Sequence, residues 1–192
     1  ADEVQTGFGR TGGKMWGIEH YGVEPDIMTM AKGIANGMPL GATLATIPVA
    51  DSWKGGNIST FGGNPVSAAA ANAVVDTIVE DKLVDNAERM GKLLREGLDA
   101  LKKKHPKHVG DVRGKGLMQG VELVADEPAK DRTPNAEYVT RLFEETKKRG
   151  LLIGRGGLYN NVLRIAPALN VGKADIEEGL RILDESMAVL SK

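Results

Sequence analysis

The chain has 192 residues, 41% of them hydrophobic, and its 25 lysines and arginines nearly balance 26 aspartates and glutamates, so charge supplies no reason to expect nucleic acid or an anionic membrane as partner. The length suffices for one sizeable core, or for one domain plus a smaller lobe; no stretch approaches transmembrane length, and the N-terminus shows no basic-then-apolar leader. With no cysteine there is neither a disulfide frame nor thiolate chemistry, and His20, His105 and His108 lack the spacing of a metal site, which leaves small, locally recognised ligands.

The chain opens at Ala1 with charged residues followed at once by a glycine-rich turn, "ADEVQTGFGRTGG", as if it began mid-structure. "PDIMTMAKGI" then predicts a short apolar strand ending at Lys32, and "GATLATI" (41 to 47) a second. After "WKGGNISTFGGNP" the pattern becomes helical: Asn64 can cap, Pro65 suits a first turn, and the alanines of "VSAAAANAVVDTIVE" predict close packing on a sheet. A long amphipathic helix over Leu83 to Lys104 follows from Leu83, Ala87, Met90, Leu94, Leu98 and Leu101 at helical spacing. "KKKHPKH" reads as its solvated end and a turn. "VGDVRGKGLMQGVELV" predicts strand, glycine turn and strand, and "NAEYVTRLFEETKKRG" a helix stopped by Gly150. "GLLIGRGG" and "NVLRIAP" predict two short strands, before a last helix from Lys173 to Leu190. The expected organisation is an α/β part over residues 1 to 104, including the long helix, and an α+β lobe over 105 to 192.

"GFGRTG" fits GxGxxG literally, but a dinucleotide fingerprint must open a helix, and Gly13, Gly17 and Gly22 follow within a few residues, so a tight glycine loop is the better reading. A more coherent set combines an acid, a lysine, a phosphate seat and an arginine. Lys32 stands in an apolar, small-residue run, where an ammonium is costly to desolvate. Asp2 and Lys32 each lie near the end of a predicted strand, where side chains of neighbouring strands converge. "STFGGNP" offers the Ser59 and Thr60 hydroxyls and several backbone amides just before a helix, a seat for an anion. Arg164 lies in the apolar "VLRIAP", where a guanidinium is expected to meet a carboxylate.

"DEVQTGFGRTG", "PDIMTMAKGIANGMPLGA", "TFGGNP", "GDVRGKGLM" and "LRIAP", in this order, resemble the class III (ω-type) aminotransferases of the fold type I family, which use pyridoxal phosphate. The resemblance runs over essentially the whole chain, to the C-terminal portion of longer enzymes. It implies an α/β fold, part of a mainly parallel large-domain sheet plus the α+β lobe. By the same resemblance, Lys32 matches the lysine that forms a Schiff base with the cofactor and then shuttles the substrate proton. Asp2 matches the aspartate paired with the pyridinium nitrogen, and Gln5 the residue beside the cofactor's phenolic oxygen. Thr60 matches a threonine that reaches the cofactor phosphate across a homodimer interface, and Arg164 the arginine that holds the substrate carboxylate.

The reaction implied is a two-stage transfer of an amino group from an amino acid to an oxo acid such as glyoxylate or pyruvate. The wording of "TMAKGIANGMPLGA", "VGDVRGKGLM" and "GLLIGRGG" resembles the alanine–glyoxylate branch. Branches acting on 4-aminobutyrate or other ω-amino acids, decarboxylation or aminomutase chemistry on the same scaffold, and a non-catalytic fragment remain as alternatives. The resemblance implies a cytoplasmic enzyme, any mitochondrial targeting segment lying ahead of Ala1. A parallel sheet cut at its first motif is also expected to leave the isolated chain marginally stable.

Overall fold

A computed structural model describes residues 1–191. It forms two compact units, Ala1–Ala87 and the chain from Glu88 onward, dividing inside a long helix.

In the first unit, strand β1 (Ile27–Met30) pairs antiparallel with β2 (Ala42–Ala45), Met30 facing Ala42 and Ile27 facing Ala45. A single parallel bridge, Asp2 to Thr29, lies on the other side of β1. The parallel pairing expected from the resemblance is therefore confined, among the described residues, to that bridge. The segment between Gln5 and β1 is a chain of turns closed by the 3-10 turn Gly17–Tyr21. Phe8 and Trp16 stack edge to face beneath it, with ring centroids 4.9 Å apart.

The predicted second strand is shorter than expected, because Thr46 turns the chain into a six-residue helix, α1 (Ile47–Ser52), with Pro48 in its first turn. Helix α2 (Pro65–Glu80) starts as its sequence demands: the Asn64 side chain accepts a 2.9 Å bond from the Ser67 amide, and Pro65 needs no partner for a missing N–H. Its alanines do not pack closely on a sheet, however. Of its residues only Ser67 and Ile78 are buried, and its valines at 66 and 79 are exposed.

Helix α3 spans Leu83–Lys104, the range its apolar spacing predicts. From Glu88 onward, Leu94, Leu98 and Leu101 are buried at helical spacing. Gly91 lets the helix pass the turn at Gly116 so closely that a Cβ there would stand 2.5 Å from its backbone.

The second unit is an antiparallel sheet in the order β3 (Val109–Lys115), β4 (Met118–Asp126), β7 (Val162–Ile165), β6 (Gly154–Gly156), with β5 (Asp131–Pro134) paired to β4. Helices α4 (Ala136–Lys148) and α5 (Lys173–Leu190) pack on each other, and α4 lies against β4 and β7. Strand β5 escapes sequence reading because "DRTP" has no apolar alternation and ends on a proline. The core consists of Val112, Val121, Leu123 and Leu163 from the sheet and Val139, Leu142, Ile176 and Leu183 from the helices.

The end of α3 is not wholly solvated, as its lysine-rich sequence suggests. The His105 Nε2 atom lies 2.7 Å from Asp184 of α5 and the Lys104 Nζ donates to the same carboxylate at 2.6 Å, so His105 is largely covered.

Candidate active site

Asp2 is held in place by backbone bonds on both sides: the Thr29 amide donates to the Ala1 carbonyl, and the Glu3 amide to the Thr29 carbonyl, each at 2.9 Å. Its carboxylate Oδ1 accepts the Val4 amide at 3.0 Å, and the side chain is exposed. Lys32 follows two residues after β1 ends, at the first position of a 3-10 turn, Lys32–Ile34. The Asp2–Thr29 bridge thus sets Asp2 alongside β1, the strand that Lys32 follows.

Two features of Lys32 differ from expectation. It is exposed rather than desolvated, since the apolar residues around it in sequence turn elsewhere: Met30, Ile34 and Ala35 are buried while Lys32 is not. Its backbone is left-handed, with φ of 47°, a conformation that a non-glycine residue keeps only under outside constraint. The Phe8 ring supplies a neighbour, coming within 3.6 Å of where a Cβ on Gly33 would sit.

Glu3 is the site residue that sequence reasoning missed. Its buried carboxylate accepts the Gly17 amide at 2.8 Å, the Ile18 amide at 2.7 Å and the Thr6 hydroxyl at 2.7 Å. It therefore binds both ends of the glycine-rich turn to the strand end carrying Asp2, and caps the 3-10 turn at its N-terminal amides. The available signal was an acid one residue from Asp2, ahead of a turn rich in orphan amides.

The GFGRTG segment is a closed loop. The Gly9 amide bonds to the Met15 carbonyl, that of Gly12 to Gly9, and that of Gly13 to Val84 at the start of α3, so these amides are taken up by the protein's own carbonyls. Gln5 is exposed at its entrance.

The "STFGGNP" loop is exposed throughout residues 53–63, Thr60 included, and α2, which it enters, lies beside the Lys32–Ile34 turn. Ser59 is committed locally: its hydroxyl oxygen accepts the Gly62 amide at 3.0 Å and closes the turn. At the helix start the Ser67 amide is likewise taken by the Asn64 side chain.

Arg164 lies in the unit that begins at Glu88. The strand period explains why "VLRIAP" misleads: Leu163 points to the helix side, while Arg164 shares the open face with Arg113 and Gly120, and it is exposed rather than buried in an apolar strand. Arg113 is held by Glu122 at 2.5 Å and Asp111 at 3.0 Å, and these two carboxylates, Glu122 foremost, push its guanidinium above the usual arginine value.

Comparison with known proteins gives this arrangement its context. Residues 1–187 match the family "Aminotransferase class-III". The chain belongs to the class III aminotransferase family. Over 189 residues it is 47% identical to a mitochondrial alanine–glyoxylate aminotransferase 2 homolog of Arabidopsis thaliana, covering 98% of this chain and 39% of the relative. It is 46% identical over 187 residues to an acetylornithine aminotransferase of Caldanaerobacter subterraneus subsp. tengcongensis, covering 97% of this chain and 44% of that one. A Bacillus anthracis aminotransferase crystal structure superposes with a TM-score of 0.90 at 39% identity, over 98% of this chain and 44% of that chain. The mixed α/β fold is thus that of part of an aminotransferase, and the chain spans about two fifths of the length of the relatives it matches. No helix among the described residues is long and apolar enough to cross a membrane, and no cluster of metal-ligating side chains occurs among them.

Proposed function

We propose that this chain carries the reactive lysine and the substrate anchor of a pyridoxal-phosphate-dependent transaminase. The observation that carries the reading is the Asp2–Thr29 bridge, which sets a carboxylate beside the strand end from which Lys32 projects, in a chain matched to the family from residue 1 to 187. The donor set suits the cofactor: a carboxylate for a ring nitrogen, an amine for an aldehyde, and a hydroxyl with loop amides for a phosphate.

When bound, pyridoxal phosphate supplies an electrophilic aldehyde and an electron-accepting ring. Asp2, kept at the strand end by its backbone bonds, holds the proton on the ring nitrogen. Gln5 stands beside the phenolic oxygen. The Lys32 amine would hold the cofactor at its aldehyde and would take and return the proton on the substrate carbon. Arg164 would hold the substrate carboxylate in a two-point bond. Thr60 serves the phosphate of a second subunit; that loop's exposed Ile58 and Phe61 support such a covered, dimeric arrangement.

The substrates of this reading are an amino acid donor and an oxo acid acceptor. An alanine-like donor with glyoxylate or pyruvate is favoured by the resemblance of the motifs. The acetylornithine relative at 46% identity supports an ω-amino donor nearly as well. The division of labour proposed is a cofactor-binding part over residues 1 to 104 and a small α+β domain over 105 to 192.

The test is to mix the protein with pyridoxal phosphate, reduce with borohydride, digest and map by mass spectrometry. The expected result is a single label, on the peptide containing Lys32. Scattered labelling, or none, overturns the reading for this chain; a screen of amino donors with product identification then separates transamination from decarboxylation or aminomutase chemistry.

A further inference from the structure

Arg164 is surrounded by glycine on its own face of the sheet. Across the ladder it faces Gly120 on β4 and Gly154 on β6, and Gly156 stands diagonally from it, paired with Val162. These glycines are not equivalent. A Cβ on Gly156 would lie 2.8 Å from the Arg164 Cδ and 3.6 Å from its Cγ, well inside ordinary contact, because the arginine stem runs over that backbone. One on Gly154 would stand 3.3 Å from the Arg164 carbonyl oxygen and 3.4 Å from its Cβ, a tight contact with the backbone and the root of the side chain rather than with the stem. One on Gly120 would meet Val162 at 3.4 Å and the Arg113 carbonyl at 3.7 Å, with Arg164 not among its three nearest atoms. Gly156 also lacks a positive φ, so backbone freedom is not what requires a glycine there.

We propose that Gly156 is a positioning residue whose missing side chain lets the Arg164 stem lie flat across β6 and so fixes where the guanidinium meets a substrate carboxylate. The proposal rests on the reading of Arg164 as that anchor. A methyl at Gly156 must move the stem, and a guanidinium aimed at a planar carboxylate tolerates little movement before one of its two bonds is lost. The carboxylate is held alike before and during the chemistry, so the loss falls on KM more than on kcat.

The experiment compares Gly156→Ala, Gly120→Ala and Arg164→Ala in the intact protein, with two readouts. The first is the rate of phenylglyoxal labelling at Arg164, mapped by mass spectrometry against Arg155 as reference; it needs neither cofactor nor turnover. Gly156→Ala is expected to change the Arg164 rate several-fold and leave that of Arg155 alone, and Gly120→Ala to change neither. The second is steady-state kinetics of the loaded enzyme with alanine: Gly156→Ala is expected to raise KM about tenfold or more with kcat within about twofold, and to add nothing in the Arg164→Ala background. Labelling of Arg164 at the wild-type rate in Gly156→Ala, or kinetic losses that simply add in the double variant, overturns the proposal. If the labelling shifts as expected while Arg164→Ala leaves the KM for alanine unchanged, Gly156 still steers the arginine and it is the anchor reading that fails. Should Gly156→Ala alone not fold, the double variant decides: without the stem the methyl has room, so it should unfold at the temperature of Arg164→Ala. A double variant as unstable as Gly156→Ala overturns the proposal.

Discussion

Most of the buried apolar side chains lie in the unit that begins at Glu88, and most of the exposed large ones in the unit before it. Leu117, Leu123 and Leu142 are 0% exposed, whereas Phe61 is 80% and Ile58 95% exposed. The first arrangement is a self-sufficient core of sheet and helices. The second is a surface of the kind that a partner covers, with a two-stranded ribbon whose β2 edge bonds to nothing beyond β1 among the described residues. Within one polypeptide, then, stability and chemistry are unevenly distributed: the proposed lysine, its acid and its phosphate loop lie in the unit with the thinner core.

Lys32→Ala should produce the largest effect that separates the two. Transamination should fall by at least about 10³-fold and the borohydride-fixed label should vanish, while the circular dichroism spectrum stays that of the parent because the side chain is exposed. A variant that still labels at one site would move the chemistry elsewhere.

Leu142→Ala and Phe61→Ala then test the comparison directly. Emptying the buried site should cost about 2–5 kcal/mol in denaturant unfolding, and trimming the exposed ring of the isolated chain less than about 0.5 kcal/mol. Equal costs would mean that the first unit has a core of its own around Phe61.

Within the weaker unit, Asn64→Ala removes the 2.9 Å cap on the Ser67 amide and should cost about 1 kcal/mol, read from the unfolding midpoint. If Asn64→Ala proved neutral, α2 would owe its start to Pro65 alone.

A small, pH-dependent effect belongs to the stronger unit. Burial tends to raise the Asp184 carboxyl, but hydrogen bonds from Lys104 and His105 outweigh it and hold the group below its ordinary value of 3.8. A depressed folded-state value means that the interaction stabilises the fold above the ordinary value and is lost as pH falls through the lowered one. Asp184→Asn should therefore cost about 0.5–1 kcal/mol at pH 7, and the difference from the parent should close under more acidic conditions. A gap that stays constant down to pH 2 would assign the effect to packing rather than charge.

Much of the helical structure could be read directly. The ranges of α3 and α5 and the start of α2 follow from apolar spacing, Asn64 and Pro65, because each depends on residues within a turn or two of one another. Helix α1 and strand β5 could not, since "IPVADS" begins on the last residue of the predicted strand and "DRTP" has no strand pattern; pairing with β4 makes the latter a strand. The motifs around Asp2, Lys32, Thr60 and Arg164 were visible as residue types. Their surroundings were less so: Lys32 is exposed, Ser59 is spent on its own turn, and Glu3 organises the loop beneath Asp2.

Sequence alone determined the family, the periods of the main helices and the identity of the chemical groups, all of which are local or carried by ordered motifs. Tertiary structure decided which of those groups meet and in what conformation. The Asp2–Thr29 bridge joins residues 27 apart, Lys32 takes a left-handed backbone, and the passage of Arg164 over Gly156 joins two strands. The bridge depends on backbone brought together from distant parts of the chain, and the contact of Arg164 with Gly156 on the pairing of two strands, which no helical or strand period announces.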